Sequence, residues 1–319
     1  MDHASDQAAK QSQLVPDRPD TPDGPDASDT DPMQTGLSQA DRDALARMTL
    51  LTPLAKPQEH LPDVPPHKIP RHIAVIMDGN GRWARAQGLP HALGHEAGGK
   101  TVRRIVEACG RVGVECLTVY AFSSENWKRP REEINALMKL CITYCEQERE
   151  ALVREGVRVR VIGQTDQLPE PVQQALGELV NATADIVGPT LCLAINYGSR
   201  AEITGACRDL AAQVQAGTIA PADIDQARIE ACLDTAGLPE IDLMIRTAGE
   251  MRLSNFLLWQ LSYAELYVTE VLWPDFGVED FHQAIRAYAR RVRRFGARVE
   301  EDTPGCAKTG ADAKETPVS

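Results

Sequence analysis

One stretch decides the predicted fold, His72-Ile73-Ala74-Val75-Ile76-Met77-Asp78-Gly79-Asn80-Gly81-Arg82-Trp83. Its first half, residues 73–77, is a continuous apolar run, which is typical of a buried strand in a parallel sheet. The Gly-Asn-Gly segment after Asp78 lets the backbone approach a ligand closely, and Arg82 adds a permanent cation. Because ligands bind at the carboxyl ends of strands in open α/β sheets, the stretch predicts a diphosphate site with Asp78 as a candidate Mg²⁺ ligand. Taken alone, an ordinary Asp-Gly turn is the commoner explanation.

Strands and helices alternate along the chain after this stretch. The helical segments carry apolar residues at i, i+3, i+4 and i+7, as in residues 102–112 and 134–145. Such alternation implies right-handed crossovers and a parallel sheet covered on both faces. The predicted fold is therefore α/β, a single domain with a central, mostly parallel sheet flanked by helices. The predicted strands are Ile73–Met77, Cys116–Ala121, Val157–Ile162, Leu191–Ile195, Leu243–Ile245 and, with a weaker pattern, Leu266–Val268.

The two ends of the chain differ from this central part in composition. Residues 1–66 are rich in Asp, Pro, Gln and Ser, so we expect a disordered acidic leader with at most a short helix at Leu45–Leu54. The folded domain is predicted to span residues 67–297, and residues 298–319 are predicted to form a polar tail.

The overall composition argues against several classes of protein. The chain has 319 residues, of which 46 are acidic and 34 basic, and a formal net charge of −12 is unsuited to a general nucleic-acid binder. No apolar run reaches the roughly 18 residues that span a bilayer, and the first residues lack the basic and apolar regions of a signal peptide. The eight cysteines form no paired CxxC set, so we expect reduced thiols in a cytoplasmic protein rather than a zinc site.

A second polar loop follows the predicted strand that ends at Ala121. Its hydroxyl and amide groups can hydrogen-bond an anion, and its aromatic faces can cover an apolar substrate or a carbocation. The polar residues are Ser123, Ser124 and Asn126, and the aromatic residues are Phe122 and Trp127. The alternative is a capped helix start with core aromatics.

A third polar loop begins where the predicted strand 241–245 ends. Arg246, Arg252 and Ser254 suit a diphosphate, which offers many acceptor oxygens, although the arginines could instead pair with Glu250 in a solvated loop. Further on, Glu265 is an isolated carboxylate among apolar residues, so it needs a metal, a cation or a donor. A structural salt bridge is the alternative there. Together the three loops predict two phosphate-bearing substrates and one Mg²⁺.

Six segments of the chain resemble, in order, the motif set of the cis-prenyltransferases. They are residues 72–83, 120–129, 196–198, 245–250, 252–260 and 263–276, within a similarity over residues 68–297. Motifs such as AFSSENWKRP and SNFLLWQ are too long for a chance agreement, and the chain is most similar to the bacterial undecaprenyl diphosphate synthases.

The resemblance implies the reaction and the partners. It implies a Mg²⁺-dependent homodimer that adds isopentenyl diphosphate units to an allylic diphosphate, usually farnesyl diphosphate, with cis double bonds. The implied product is a long-chain polyprenyl diphosphate, undecaprenyl diphosphate for the cell-wall lipid carrier, and its release is compatible with a peripheral membrane contact.

The resemblance also implies a role for each matching residue. Asp78 would bind Mg²⁺ and the allylic diphosphate and promote the departure of that diphosphate. The diphosphate would be cradled by Gly79, Asn80, Gly81 and Arg82, with Trp83, His91 and His95 beside it. The junction between the substrates would be shaped by Ser123, Ser124, Glu125, Asn126, Trp127 and Arg129. Isopentenyl diphosphate would be held by Arg246, Arg252, Leu253 and Ser254, and Glu265 matches a second metal-site acid.

Asn126 matches the family's proton acceptor. Because a neutral amide is a very weak base, we interpret its role as orienting a water or a diphosphate oxygen that takes the proton.

Two positions depart from the family's pattern. His91 stands where relatives often carry Arg, which weakens one diphosphate contact or makes it pH-sensitive. The family's Arg-Thr-Gly-Gly-Glu reads Arg246-Thr247-Ala248-Gly249-Glu250 here, so Ala248 costs stability if its φ must be positive.

Other functions fit the sequence less well. A nucleotide-binding protein would show the G-x-G-x-x-G spacing, which is missing after residue 77, and a trans-prenyltransferase would be mostly helical with two Asp-rich motifs. A non-catalytic partner subunit would be expected to lose the metal Asp or the loop arginines, whereas all of them are present. A shorter-chain cis-prenyl diphosphate synthase stays open, because the sequence fixes neither primer nor product length.

A growing prenyl chain also needs an apolar tunnel, because protein interiors are otherwise densely packed. We predict that Ala121 lies near its mouth and that one helix face and a neighbouring strand lie deeper. The deeper residues are predicted to be Ile134, Leu137, Met138, Cys141 and Leu191. The alternative is that all of them are ordinary core.

Overall fold

Six strands form one parallel sheet at the centre of the fold. The computed structural model describes residues 36–291, and the compact unit considered below begins at Gln39. The strands are β1 (His72–Ile76), β2 (Cys116–Ser123), β3 (Arg158–Ile162), β4 (Thr190–Tyr197), β5 (Leu243–Arg246) and β6 (Glu265–Val268). They lie in the order β3-β4-β2-β1-β5-β6. The predicted α/β sheet is confirmed, and each predicted strand end falls within two residues of the observed one.

Helices flank this sheet. In the described part of the chain they are α1 (Gln39–Leu51), α2 (Pro57–His60), α3 (Asn80–Ala86), α4 (His91–Val112), α5 (Arg131–Arg154), α6 (Glu170–Ala182), α7 (Ser199–Gln215), α8 (Gln226–Ala231) and α9 (Val278–Ala289). Because side chains alternate along a strand, Ile73 and Val75 join the larger core with α4, α5 and α9, while Ala74 and Ile76 join a smaller one. Gly113 ends α4 in a left-handed conformation with φ 83°, which glycine adopts without steric cost.

The predicted disorder of the leader is wrong for residues 39–66, although the short helix allowed at Leu45–Leu54 overlaps α1. These residues form α1 and α2, and Met48 and Leu61 are buried in the larger core. The packing of Met48 is tight, since a Cβ placed on Gly113 would lie 2.7 Å from its sulfur. The average composition of residues 1–66 did not predict these helices. A few apolar residues at helical spacing are enough to hold a short helix when they pack on an already folded domain. Residues 1–35 and the predicted tail lie outside the described residues.

The sheet brings the polar loops together at one edge. Each of β1, β2 and β5 runs into one of the three loops singled out in the sequence. Since β1 lies between β2 and β5 and all three are parallel, the three loops meet at the carboxyl edge of the sheet centre. This is where open α/β folds bind ligands.

No helix among residues 36–291 has the length and apolar character needed to cross a bilayer.

Candidate active site

Asp78 lies at the centre of this edge, on a backbone that several hydrogen bonds fix. The Thr247 hydroxyl accepts the Asp78 N–H at 2.9 Å and donates to the Asp78 carbonyl oxygen at 2.6 Å. The N–H of Gly79 donates to Asp78 Oδ1 at 2.8 Å, which is feasible because Gly79 holds a φ of 108°. The carboxylate is thereby held at the end of β1 while 31% of the side-chain surface stays exposed.

Three guanidinium groups surround this carboxylate. Arg246 Nη2 lies 2.9 Å from Asp78 Oδ2, Arg252 Nη2 lies 3.9 Å from the same oxygen, and Arg82 Nη2 lies 3.7 Å from Oδ1. Glu250 pairs with both Arg82, at 3.2 Å, and Arg252. Three cations therefore face two carboxylates, and the excess positive charge suits a diphosphate. The alternative expected from the sequence, a pair between Glu250 and a loop arginine, is also observed as the Glu250–Arg252 pair. This pair lies beside Asp78 and does not exclude a diphosphate site there.

The two arginines of the third loop occupy different environments. The Arg246 side chain is 3% exposed and donates to Ser254 Oγ at 2.9 Å and to the Arg252 carbonyl oxygen. The Arg252 side chain is 58% exposed. Arg246 therefore organises Asp78 and the loop, whereas Arg252 can move onto a ligand. Leu253, predicted beside them, packs instead against the smaller core.

A polar crevice of about 280 Å³ opens between Asp78 and the starts of α3, α4 and α5. Several predicted residues line it, namely Gly79, Asn80, Gly81, Arg82, His91, His95 and Arg129, together with Arg85 and Glu133, which sequence reasoning did not select. His95 Nε2 lies 3.8 Å from Glu133 Oε1, and burial, with Arg129 nearby, lowers the pKa of His95. The ring is thereby kept neutral at neutral pH, so it can donate one hydrogen bond and accept another.

Trp83 was predicted beside the diphosphate, but its indole N–H donates to Asp275 Oδ1 at 2.7 Å. It is also missing from the residues that line the crevice. In this conformation Trp83 links α3 to the segment after β6 by a hydrogen bond, so it would affect diphosphate binding only through the position of α3.

The second loop is a capped turn whose polar groups are largely engaged. Asn126 Oδ1 accepts the Ser123 N–H at 2.9 Å, and Ser124 Oγ lies 3.3 Å from Glu125 Oε2. Trp127 packs edge-on against Phe122 with ring centroids 5.2 Å apart. The cap alternative therefore describes the local structure, while Trp127 stays 39% exposed and can still contact a substrate.

Two asparagines of the motif segments, to which sequence reasoning gave no role, hold the second loop in place. Asn196 Oδ1 accepts the Trp127 indole N–H at 2.8 Å. Asn255 donates to Glu125 Oε1 at 2.8 Å and accepts the Arg200 N–H at 2.9 Å. Both have positive φ, 49° and 60°. Asn is enriched in the left-handed region, so an Asn directly after a predicted strand, as at Asn196, or beside Ser254, as at Asn255, was the available signal.

The prediction that Glu265 joins Asp78 as a metal-site acid is wrong within the chain. Glu265 is the first residue of β6, whereas Asp78 follows the last residue of β1, so the parallel sheet places them towards opposite edges. Glu265 is instead paired with Arg291 at 2.6 Å, which is the salt-bridge alternative. The apolar residues around Glu265 did not reveal at which edge of the sheet it lies, because this depends on the residue at which β6 begins.

Ala248 has the positive φ at which the sequence analysis expected a cost in stability. Its φ is 68° and it is buried, so a residue with a Cβ does hold a left-handed conformation in the family's glycine position. Its Cβ would lie 3.1 Å from a Cβ on Gly79, so the two loops pack closely here.

An apolar cavity of about 130 Å³ adjoins the polar crevice, between the sheet and helices α4 and α5. Met77, Asn80 and His95 line both spaces. Of the predicted tunnel residues, the cavity is lined by Ala121, Leu137, Met138 and Cys141. Ile134 and Leu191 were predicted wrongly, because they lie in the core and are not among its lining residues.

A cationic crevice that opens into an apolar cavity suits a substrate with a diphosphate head and a hydrocarbon chain. The fold and the site together indicate an enzyme that acts on prenyl diphosphates. Comparison with known proteins identifies the family to which the chain belongs. Residues 76–296 match the family described as "Putative undecaprenyl diphosphate synthase".

Individual proteins agree with the family match. The chain is 50% identical over 230 residues to an isoprenyl transferase of Geobacillus kaustophilus, covering 72% of this chain and 90% of that protein. It is 49% identical over 226 residues to the ditrans,polycis-undecaprenyl-diphosphate synthase ((2E,6E)-farnesyl-diphosphate specific) of Escherichia coli (strain K12), covering 71% and 89%. Among solved structures, lavandulyl diphosphate synthase from Lavandula x intermedia in complex with dimethylallyl diphosphate matches with a TM-score of 0.70 and 36% identity, over 72% of this chain and 99% of that chain.

The chain therefore belongs to the undecaprenyl diphosphate synthase family, and it is a cis-prenyltransferase. The resemblance found in the motifs is confirmed.

Proposed function

We propose that this cis-prenyltransferase condenses isopentenyl diphosphate units onto farnesyl diphosphate and makes undecaprenyl diphosphate. The observation that carries the proposal is the continuity between the arginine-lined crevice around Asp78 and the apolar cavity beyond Met77. The crevice fits the diphosphate of the allylic substrate, and the cavity fits its first hydrocarbon unit. The farnesyl-specific name of the Escherichia coli relative supports the choice of primer and product.

Mg²⁺ fits the donors at this site. Enzymes of this kind generally need a divalent metal, and Mg²⁺ is usually bound by one or two carboxylates plus substrate phosphates. Among residues 36–291 no group of three or more His, Cys, Asp or Glu forms a protein cage, so Asp78 is the candidate carboxylate. Asn80 Oδ1 is buried without a hydrogen-bond partner in the described chain, and Asn80 borders the crevice. Asp78 and Asn80 would hold the hydrated ion, which would neutralise charge on the departing diphosphate.

The chain's own residues would bind and orient the two substrates. Arg82 and the backbone N–H groups of Asn80 and Gly81 would bind the allylic diphosphate, with Gly79 allowing the close approach. Arg252 and Ser254 would bind isopentenyl diphosphate from the other side of Asp78. Trp127 would shield the reacting carbons from water, and a carbocation above its ring would be stabilised by the π face.

The proton of the condensation would leave near Asn126. Since Asn126 Oδ1 already accepts the Ser123 N–H, its free amide N–H groups can hold a water or a diphosphate oxygen as the acceptor. Homodimer formation, a cytoplasmic location and the cell-wall role stay predictions from the sequence.

A shorter product is the second candidate, and the size of the cavity favours it. An apolar cavity of roughly 150 Å³ holds benzene, so the cavity of about 130 Å³ holds about one five-carbon unit in this conformation. It must therefore widen for the farnesyl primer itself, and a shorter product needs less widening than undecaprenyl diphosphate.

One experiment tests the activity and decides between the two products. The full-length protein is incubated with farnesyl diphosphate, labelled isopentenyl diphosphate and Mg²⁺, and the products are sized by chromatography. Parallel reactions contain EDTA or the Asp78→Asn variant. A Mg²⁺-dependent 55-carbon product is expected, following the size in the relative's name. A protein that incorporates no label, while the wild type is folded, would contradict the catalytic assignment and favour a non-catalytic partner subunit.

A further inference from the structure

Two cysteines of α5 lie in the wall of the apolar cavity. Cys141 and Cys145 are four residues apart in this helix, and both line the cavity. Side chains at this spacing lie on one face of a helix, with Cβ atoms roughly 5–6 Å apart. Because the cavity adjoins the polar crevice, a small ion can reach both thiols from the ligand-binding edge of the sheet. The cavity therefore presents a pair of soft donor atoms.

The two thiols interact with each other. The Cys145 thiol donates a hydrogen bond to the Cys141 sulfur, and this bond holds the pKa of Cys141 below its ordinary value. The same bond, together with burial, raises the pKa of Cys145. In Cys109 and Cys192 burial is the main influence, and it raises the pKa of both thiols. Since the thiolate is the form of cysteine that binds metals, the pair on α5 is better suited to a metal than these core thiols.

A buried donor without a partner lies one helical turn beyond this pair. Arg149 donates to Glu178 Oε2 at 2.8 Å through Nη2, but its Nε is buried and has no hydrogen-bond partner among the described residues. The Arg149 charge is close enough to Cys145 to oppose the rise in the pKa of that thiol. Two thiolates around a monovalent metal ion carry a net negative charge. Arg149 is placed to balance that charge.

The donor set selects one kind of ion. No group of three or more His, Cys, Asp or Glu within residues 36–291 could hold a metal, so ions that need three or four protein ligands, such as Zn²⁺, do not suit this site. Soft thiolates select Cu⁺, which two sulfurs can bind in a near-linear arrangement. An ion between the sulfurs bridges the helical spacing, whereas a disulfide needs Cβ atoms roughly 3.5–4.5 Å apart and would distort α5.

We propose that Cys141 and Cys145 form a two-coordinate Cu⁺ site in the wall of the apolar cavity, with Arg149 balancing the charge of the complex. On binding, two Cu–S bonds form and the two thiol protons pass to the solvent, while neither the metal nor the sulfurs change oxidation state. The inference goes beyond the proposed function. An ion bound there lies in the space that a prenyl chain would enter, so the site would make the enzyme sensitive to Cu⁺.

The test measures the transfer of Cu⁺ to the full-length protein from its coloured bicinchoninate complex, without oxygen and without prenyl substrates. The wild type should withdraw one Cu⁺ per chain. Cys141→Ser and Cys145→Ala each leave a single thiol of the pair, so this transfer should be lost in both. Cys207→Ser is the matched control, because it removes an exposed cysteine that does not line the cavity, and it should withdraw Cu⁺ like the wild type.

Substitutions at Arg149 test the part played by its charge. Arg149→Gln removes the charge but keeps a hydrogen-bond donor. Loss of a group that supports metal ligands from outside typically costs about 10–100-fold in metal affinity, and a loss in this range is expected here. Arg149→Lys restores the charge and should recover most of the affinity. A purely structural role of Arg149 would not produce this rescue.

The outcomes decide the site whether or not the proposed function is correct, because the assay contains no prenyl substrate. A wild type that withdraws no Cu⁺ overturns the site, and so do cysteine variants of the pair that are folded by circular dichroism and still withdraw it. If one of these two variants does not fold, the other decides. Transfer that is lost in Cys207→Ser would assign the binding to a different thiol and would also overturn the proposal.

Discussion

The two arginines of the third loop should respond differently to substitution. From the sequence, both were expected chiefly to raise the KM for isopentenyl diphosphate. In the structure Arg246 is almost fully buried and bonded to Asp78, whereas Arg252 is mostly exposed. We therefore expect Arg246→Met to impair the handling of both substrates and Arg252→Ala to impair isopentenyl diphosphate binding alone.

The magnitude follows from the contacts that each change removes. Arg246→Met removes the 2.9 Å charge-assisted bond to Asp78 Oδ2 and leaves that oxygen 3.9 Å from Arg252. A hydrogen bond to a charged group contributes about 1.5–3 kcal/mol, so kcat/KM should fall roughly 10- to 150-fold for each substrate. Arg252→Ala removes an exposed pair worth about 0–1 kcal/mol to stability, so its unfolding free energy should stay close to that of the wild type.

The assay varies each diphosphate in turn at saturating concentrations of the other, and urea unfolding is measured on the same preparations. Arg252→Ala acts as the matched control, since it removes the same charge from the same loop without exposing a buried site. If Arg246→Met raised only the KM for isopentenyl diphosphate, or if the two variants were indistinguishable, Arg246 would not organise Asp78 in the way described.

Three further predictions concern stability. Met48→Ala should cost about 2–5 kcal/mol of unfolding free energy, because Met48 is 2% exposed, while the same change at Leu50, 73% exposed, should cost less than about 0.5 kcal/mol. Ala248→Val should destabilise by about 1–3 kcal/mol, because a β-branched residue is strained at a φ of 68°, and Ala248→Gly should stay within about 1 kcal/mol of the wild type. Burial lowers the pKa of His72 to about 4, so stability should fall by about 3 kcal/mol as the pH drops from 6.5 towards 4, where the unfolded chain binds a proton that folded His72 does not.

Equilibrium unfolding in urea measures all three. For the first, equal effects at Met48 and Leu50 would mean that α1 does not pack on the domain. For the second, a Val variant as stable as the wild type would show that the loop relaxes out of the left-handed conformation. For the third, the His72→Gln variant should lose its share of the pH dependence between 4 and 6.5, and an unchanged slope would assign that dependence to other groups.

Local patterns in the sequence were sufficient for the fold and for much of the site. Continuous apolar runs predicted the strands, and the polar residues directly after β1, β2 and β5 predicted that three loops meet at one edge of the sheet, because parallel strands bring these positions together. Burial could not be predicted in the same way. Arg246 and Arg252 look equivalent in sequence, and only the packing of their loop separates them.

The remaining errors have the same origin in tertiary contacts. Met48 is buried because Gly113, far along the chain, leaves room for it. Leu191 is core rather than tunnel wall because it lies near the start of β4, whereas Leu193 and Ile195, further along the same strand, line the cavity. The metal-site role of Glu265 was implied by the family resemblance, and a motif does not show that β6 begins at this residue, away from Asp78.

The strand order has a consequence for how the enzyme is made. β1 lies next to β5 in the sheet, and the bonded residues Asp78 and Arg246 are 168 positions apart in the chain. At a synthesis rate of about 5–20 residues per second, roughly 8–34 s pass between the two. Throughout that interval one edge of the central strand has no partner, and unpaired edges promote aggregation. The catalytic centre is therefore among the last parts of the protein to assemble, and a nascent chain that stalls before β5 would expose its most apolar strand.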